Sequence, residues 1–256
     1  VAEAERVRFW DLHTRAFAKD THEASVTALT FSPGGQFLAG AAADGTILLW
    51  SGAAEATVVK TGQSVPASAL TFSSDDSMLA AVFPGVAVNL IFHRDREDRQ
   101  SHQAWAEWAK DDAAERAEVT TVAMSPDGIT LAIGSKNGGV SLWDVASAQR
   151  LGEVVPQQRH AGEVLDLSFS RDGKQLASAS ADATIKLWRL ENNSAPEVIA
   201  TLNGHLAGVE QVAYLPGGIL LASASADGSV RLWDVSGRTG EKPALFRYLV
   251  ENWYAF

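Results

Sequence analysis

A histidine, a serine and an aspartate recur in this chain with a fixed spacing that could support chemistry. The serine follows the histidine by 18 residues, the aspartate follows it by 22, and a tryptophan lies six residues beyond the aspartate. The pattern occurs at His160, Ser178, Asp182 and Trp188, and again at His205, Ser223, Asp227 and Trp233. In a serine hydrolase these residue types act together, because the histidine accepts the serine proton while the aspartate orients the histidine. One hypothesis is therefore acyl transfer.

The repetition itself argues against a catalytic role for these residues. A single active site does not require the set twice, and the sequence lacks the GxSxG motif that presents a nucleophilic serine on a sharp turn. The surrounding residues are copied as well, since "ASASADATIKLW" at 177–188 returns as "ASASADGSVRLW" at 222–233. A repeat with a period of 45 residues is typical of an array of similar structural units.

Each unit has the pattern of short β-strands separated by turns. Segments such as "VTALTF" at 26–31 alternate in period two, and "SPGG" at 32–35 and "SPDG" at 125–128 are turn signals. A tryptophan closes the third strand of most units, at positions 10, 50, 143, 188 and 233, and Ile91 takes its place in a worn unit. Four strands per unit predict small sheets that stack as blades of a propeller.

Several motifs resemble the signature of the Trp-Asp (WD) repeat family of β-propellers. They are "GH" at 204–205, Asp227, "WD" at 233–234, "SLWD" at 141–144 and "FWD" at 9–11. The resemblance implies an all-β fold, a β-propeller of four-stranded antiparallel blades, six or seven in number, with the ring incomplete within this chain. The expected boundaries are a partial N-terminal blade at 6–20, blades at about 22–60, 63–112, 117–155, 160–202 and 205–249, and an aromatic C-terminal tail at 251–256.

The resemblance also implies a structural role for the repeated polar residues. In the family, the tryptophan N–H donates to the serine, the serine reaches the histidine, and the aspartate holds the histidine. We therefore predict no catalytic residue. A third set keeps His22, Asp44 and Trp50 but has Gly40 in the serine position. Other units have lost the set, with Glu115, Ile133 and Asn137 in one blade and Gln63, Ala81, Gly85 and Ile91 in the blade at 63–112. We expect this last blade to be the least rigid.

The strand count does not close a ring. The N-terminal region supplies only two strands of a blade, around 6–12 and 15–19, and "VENWYAF" at 250–256 allows one more at best. Missing residues, another chain or a seventh blade elsewhere in a longer parent protein could complete it. The first residue, Val1, favours the missing residues.

Composition excludes several classes of partner. The chain has 21 Lys and Arg residues against 31 Asp and Glu, and its net charge of −10 argues against nucleic acid as a partner. The absence of cysteine excludes disulfides and thiolate metal sites and fits a cytoplasmic location. The longest apolar run, 79–92, is interrupted and falls short of the ~20 residues of a membrane-spanning helix. We predict no membrane partner, no metal and no cofactor.

The candidate partner-binding residues lie where the units differ. An irregular segment at 93–118 is dense in charges of both signs and supplies Arg94, Arg96, Arg99, Trp105 and Trp108. Two turns add Lys136 and Glu163. The alternative for the segment is a solvated loop with its tryptophans packed on the blade. A metal site is a weaker alternative, because the spacing of His93, Asp95, Asp98 and His102 fits no tight ligand set.

These observations predict a non-catalytic platform that binds a protein or peptide. We expect it to be the sensor or scaffold domain of a larger cytoplasmic signalling protein. Two alternatives remain: a structural subunit that completes its ring with another chain, and an enzyme with a pocket in the propeller channel. The enzyme would need convergent titratable residues, and the alanine- and glycine-rich turns supply few.

Overall fold

The computed structural model describes most of the chain. The described residues are 2–3, 6–11, 16–23, 25–52, 56–83, 87–92, 102–105, 119–147, 149–153, 156–190, 195–236 and 245–248. This part is all-β, with one short 3-10 turn at Pro156–Gln158. None of its helices is long and apolar enough to cross a membrane. The chain divides into two compact units, Val1–Ala117 and Glu118–Phe256.

Unit 1 contains three antiparallel sheets. The N-terminal sheet has the order β1-β2-β3, with β1 Ala2–Glu3, β2 Arg6–Asp11 and β3 Ala16–Glu23. Blade 1 consists of β4 Val26–Phe31, β5 Phe37–Ala42, β6 Ile47–Ser51 and β7 Thr57–Val59. Blade 2 consists of β8 Ala69–Phe72, β9 Met78–Phe83, β10 Ala87–Phe92 and β11 His102–Trp105.

Unit 2 contains three four-stranded sheets in which the strands pair in chain order. Blade 3 consists of β12 Val119–Met124, β13 Thr130–Ser135, β14 Val140–Asp144 and β15 Arg150–Glu153. Blade 4 consists of β16 Val164–Phe169, β17 Gln175–Ser180, β18 Thr184–Arg189 and β19 Glu197–Asn203. Blade 5 consists of β20 Val209–Tyr214, β21 Leu220–Ser225, β22 Val230–Asp234 and β23 Leu245–Tyr248.

The predicted fold class is confirmed, with one correction at the N-terminus. Five sheets have four antiparallel strands each, as the alternating pattern predicted. The N-terminal sheet was expected to have two strands and has three, because the two-residue strand β1 pairs with β2. A segment of two residues is too short to carry a periodic pattern, so this strand could not be predicted from the sequence. His22 also lies within β3 rather than in a loop before blade 1.

Neighbouring blades pack through small residues of one sheet and large residues of the next. In unit 2, Ala177 and Ala179 of β17 are fully buried and form a cluster with Val209, Leu221 and Trp233 of blade 5. The alanines let the next sheet approach closely, while the larger side chains fill the space between the sheets. The same residue types recur in every unit of the sequence because each sheet must bury both faces.

The turn between the first two strands of each blade needs a left-handed residue. Gly35, Gly128, Gly173 and Gly218 occupy this position with φ between +69° and +72°. In blade 2 the position belongs to Asp76, which keeps φ at +59° and is buried. Its carboxylate accepts a hydrogen bond from the backbone N–H of Gly34, in the corresponding turn of blade 1, at 3.0 Å. This aspartate therefore links two blades.

Candidate functional site

The side chains of the blade 4 polar set form a continuous chain of hydrogen bonds. Trp188 Nε1 donates to Ser178 Oγ at 2.8 Å, and that oxygen lies 2.7 Å from His160 Nε2. His160 Nδ1 lies 2.9 Å from Asp182 Oδ2. A carboxylate only accepts, so Nδ1 carries the proton, and Nε2 accepts from the serine hydroxyl. The donors run in one direction, from tryptophan through serine and histidine to aspartate.

Burial keeps these groups away from any substrate. Ser178 and Trp188 are 0% exposed, and His160 is 4% exposed. The serine oxygen already accepts the indole N–H and donates to the histidine, so it has no free role in attack. A nucleophile must reach the atom that it attacks. The geometry therefore favours the structural interpretation of the set over acyl transfer.

The protonation states fit this direction of hydrogen bonds. Burial lowers the pKa of His160 because it disfavours the imidazolium, although the charge of Asp182 opposes the shift. For Asp182, burial raises the pKa, but hydrogen bonds from Thr184 and the charge of His160 outweigh it and hold the pKa below its usual value. The set therefore consists of a neutral histidine and an ionised aspartate near pH 7.

Blade 5 repeats this arrangement almost atom for atom. Trp233 Nε1 donates to Ser223 Oγ at 2.9 Å, and Ser223 Oγ lies 2.8 Å from His205 Nε2. His205 Nδ1 lies 3.0 Å from Asp227 Oδ2. Burial raises the pKa of Asp227, but hydrogen bonds from Ser229, Leu206 and His205 outweigh it and give a low pKa. Both complete sets predicted from the sequence are thus assembled.

Each aspartate also organises the turn that carries it. Asp182 Oδ1 accepts from the backbone N–H and the hydroxyl of Thr184 at 2.9 and 2.7 Å, and Oδ2 accepts from the Ala161 N–H at 2.9 Å. Ser229 takes the place of Thr184 in blade 5, and Thr46 does so after Asp44 in blade 1. Sequence reasoning missed these hydroxyl residues, although a Ser or Thr two residues after each aspartate could have revealed them.

The incomplete sets of blades 1 and 3 differ in the hydrogen bonding of the tryptophan N–H. Trp50 is 0% exposed, and its Nε1 has no hydrogen-bond acceptor among the described residues because Gly40 replaces the serine. A side chain at Gly40 would contact the Trp50 ring, with Cβ 2.9 Å from it, so the ring occupies the space of the missing serine. In blade 3, Trp143 Nε1 donates instead to Ser141, two residues earlier on the same strand, at 2.9 Å. The side chain of His22 lies outside the described residues.

A continuous surface in unit 2 surrounds the two complete sets. We call residues 136–139, 161–163, 181–183, 206–208 and 226–228 the loop surface. Its pieces are joined by backbone hydrogen bonds of 2.9–3.0 Å: His160 N–H to Gly138 O, Ala181 N–H to Glu163 O, and Ala226 N–H to Gly208 O. A Cβ on Gly208 would lie 3.3 Å from Ala181 Cα, so two adjacent blades meet here through small residues.

One large apolar side chain projects from this surface. Leu206 is 88% exposed, the highest value among the described large apolar residues. Elsewhere on the loop surface Ala161, Ala181 and Ala226 are exposed, and so is Lys136 in blade 3. Glu163 is half-buried on the same surface. The structure thus places two of the predicted partner-binding residues on one surface, whereas no sequence pattern singles out Leu206.

The other predicted partner-binding residues fall mostly outside the described part of the chain. Arg94, Arg96, Arg99 and Trp108 lie there, as does the alternative metal set at 93–102 except for the backbone of His102. For Trp105 only the backbone is described, within β11. Among the described residues, no group of three or more His, Asp or Glu side chains could hold a metal ion.

A shallow groove lies at the opposite ends of the strands. It has a volume of about 430 Å³ and is lined by Ser170, Arg171, Asp172, Gly217, Gly218 and Ile219. Asp172 is already engaged, because it accepts from the hydroxyl of Ser170 and the N–H of Lys174, and these bonds lower its pKa. The groove therefore presents no carboxylate suited to general acid catalysis at neutral pH.

A half-buried carboxylate joins the first strands of blades 4 and 5. Asp166 Oδ2 accepts from the backbone N–H of Val212 at 2.9 Å, and Oδ1 accepts from the N–H of Leu167 at the same distance. Two residues further, Ser168 Oγ accepts from the N–H of Tyr214 at 3.1 Å. Burial raises the pKa of Asp166 to about 6, since these bonds only partly offset the loss of water.

Comparison with known families agrees with the blade architecture. The family described as WD domain, G-beta repeat matches residues 15–51, 113–144, 153–189 and 196–234. These four segments cover more than half of the chain, and each ends at the last residue of the strand that carries Trp50, Trp143, Trp188 or Trp233. They leave out residues 52–112, where Ile91 occupies the tryptophan position. A search of curated proteins gave no match. The chain belongs to the WD-repeat family of β-propellers.

Proposed function

We propose that this protein is a non-catalytic platform for a protein or peptide partner, and that the partner docks on the loop surface. WD repeats generally mediate protein–protein interaction and scaffolding, and the family is generally non-catalytic. The observation that carries the proposal is the exposure of Leu206, at 88%, on a surface of small residues. Burying a leucine side chain contributes about 1.5–3 kcal/mol, so a single projecting leucine can anchor a partner.

The shape and charge of the surface favour a protein over a small molecule. The exposed residues at 161, 181 and 226 are all alanines, which offer no polar side-chain group to fix a small ligand, whereas small-ligand sites place a few polar groups precisely. Lys136, which is exposed, and Glu163, which is half-buried, add one charge of each sign to the loop surface. A partner segment with an apolar pocket and a polar rim would match this pattern.

A role as the sensor or scaffold domain of a larger signalling protein is the finer part of the proposal. Repetition makes the blades rigid, and the loops that differ between blades can then hold a partner without rearrangement. The absence of cysteine from the sequence supports a cytoplasmic setting for this role. Fractionation of the source cells, with immunodetection of the protein, tests the location.

The docking proposal is tested by placing a photocrosslinking amino acid at position 206 in the full-length protein in its own cells. We expect a crosslinked partner at 206 and none at position 219, where Ile219 is also exposed, at 55%, but lies at the other ends of the strands. Leu206→Asp should then abolish copurification of that partner, while Ile219→Asp should not. Equal crosslinking at both positions, or full retention of the partner by Leu206→Asp, would contradict the proposal.

A second candidate is a structural subunit whose N-terminal sheet accepts a strand from another chain. The described part of that sheet has three strands against four in each blade, and β1 at its edge has only two residues. A sheet edge with free backbone groups readily pairs with an added strand. Light scattering of the purified protein distinguishes the candidates, because a dimer favours the subunit and a monomer favours the platform.

A further inference from the structure

Arg231 is a buried arginine that forms no ion pair with any residue in the described part of the chain. It lies on β22 and is 8% exposed, and its Nε is sealed from solvent with no hydrogen-bond acceptor in the part of the chain that the structure describes. A charged group removed from water is costly unless it is paired or hydrogen-bonded. Nothing in the polar sets requires this arginine, since the corresponding residue in blade 4 is Lys186 and that in blade 3 is Ser141.

The guanidinium occupies space left by a glycine. A Cβ on Gly204 would collide with Nη1 of Arg231, and the Trp233 ring lies 3.4 Å from the same point. In blade 4 the residue before the histidine is Arg159 rather than glycine, so the space left by a missing side chain is found in blade 5 and not in blade 4. Gly204 is half-buried and follows the exposed Asn203, which places the guanidinium close to the protein surface.

The strand register places a second arginine beside the first. Arg231 pairs directly with Arg247 of β23, so both positions lie on the same face of blade 5. Like charges at directly opposed positions are destabilising. The nearest acid of the polar set, Asp227, is already engaged by His205, Leu206 and Ser229. The register thus sets two arginine positions opposite each other in a chain whose net charge is −10.

We propose that Arg231, with Gly204 beside it, forms an oxyanion-binding site in blade 5 that takes a carboxylate or a phosphate group. A guanidinium presents two parallel N–H groups to such an anion, and partial burial strengthens the bonds. Arg231 and Gly204 are not among the residues of the loop surface, and the site goes beyond the proposed function. The carboxylate would come from an acidic side chain of a partner, and the phosphate from a small molecule or a phosphorylated residue.

The test is a nuclear magnetic resonance titration of the arginine Nε–Hε signals in the full chain. Inorganic phosphate and sodium acetate are the two probes, each added at constant ionic strength with sodium chloride. The Arg231 signal is assigned by its absence in Arg231→Lys. We expect this signal to shift along a saturating curve, while the signal of Arg189, which is exposed and lies 3.5 Å from Glu197, moves little. Saturation by phosphate alone or by acetate alone identifies the anion.

Two variants keep the test decisive. Arg231→Met preserves length without charge, so it should be at least as stable as the wild type in anion-free buffer. It should also lose the rise in melting temperature that the anion gives the wild type. Gly204→Ala should displace the guanidinium and weaken binding. Absence of a shift with both probes would overturn the proposal, as would an adventitious ion only, shown by equal linear shifts at Arg189 and Arg231.

Discussion

Replacing Gly34 with aspartate should destabilise unit 1 by about 3 kcal/mol, and adding Asp76→Gly to the same protein should recover most of the loss. A Cβ at Gly34 would collide with the Asp76 carboxylate, which accepts the Gly34 N–H at 3.0 Å. Two carboxylates about 5 Å apart repel by about 3 kcal/mol at an effective dielectric constant of 20. Gly34→Asp alone therefore places a second carboxylate beside the carboxylate of Asp76.

The double variant restores a turn that the chain already uses. In blade 3 the corresponding residues are Asp127 and Gly128, and Asp127 accepts from its own turn through the hydroxyl of Ser125 and the N–H of Ile129. Gly34→Asp with Asp76→Gly gives both turns this Asp-Gly pair, and Ser32 is present in blade 1 to donate. Each turn can then satisfy its own groups without the neighbouring blade.

Asp76→Gly alone should cost about 1 kcal/mol. Losing a hydrogen bond to a charged group costs about 1.5–3 kcal/mol, and releasing a non-glycine residue from φ of +59° returns about 1–2 kcal/mol. Independent effects of the two substitutions would add to about 4 kcal/mol, whereas we expect the double variant to lie within about 1 kcal/mol of the wild type.

Urea unfolding of the four proteins at pH 7, followed by tryptophan fluorescence, measures this coupling. A coupling of about 3 kcal/mol between positions 34 and 76 is the expected result. If the double variant loses the sum of the two single losses to within about 0.5 kcal/mol, the two turns are independent and the reasoning is refuted.

Two further predictions concern buried groups of unit 2. Ser223→Ala should lower the free energy of unfolding by about 1–3 kcal/mol, because the indole of Trp233 and the imidazole of His205 lose their hydrogen-bond partner. Urea unfolding measures this loss, and a loss below about 0.5 kcal/mol would contradict the prediction. Asp166→Asn should stabilise the protein at pH 7 by about 3 kcal/mol while keeping an acceptor for Val212. The folded pKa of Asp166 is raised from 3.8 to about 6, so its contribution is most favourable below pH 3.8 and is lost as pH rises through 6. Urea midpoints of wild type and variant should therefore converge below pH 4, and a difference independent of pH would contradict this.

The sequence predicted those parts of the fold that repeat. The alternation of strand residues and the Trp-Asp motifs located five four-stranded blades, and the fixed spacing of His160, Ser178, Asp182 and Trp188 located a complete polar set. Both are local signals that return in each unit, so the units support one another. The assignment of domain boundaries and the low rigidity of blade 2 stay predictions.

The parts that the sequence did not reveal depend on contacts between units. Nothing within blade 2 indicates that Asp76 reaches Gly34, because the contact requires knowing which turns are neighbours. The hydrogen bond from Trp143 to Ser141 was missed for a different reason. In blade 3 the serine position of the polar set is Ile133, and the acceptor for the indole N–H lies instead on the same strand as the tryptophan. Leu206 occupies a loop position that is alanine in blade 4, and only its exposure marks it.

The most direct test of the account is hydrogen exchange at the indole N–H groups of Trp188 and Trp233. Each indole donates to a buried serine within a continuous chain of hydrogen bonds, which leaves no free nucleophile. Magnetic resonance in deuterated buffer should then show both indole protons exchanging only as slowly as the blades open. Exchange as fast as that of a solvent-exposed indole would show that the serines are accessible and would contradict the account.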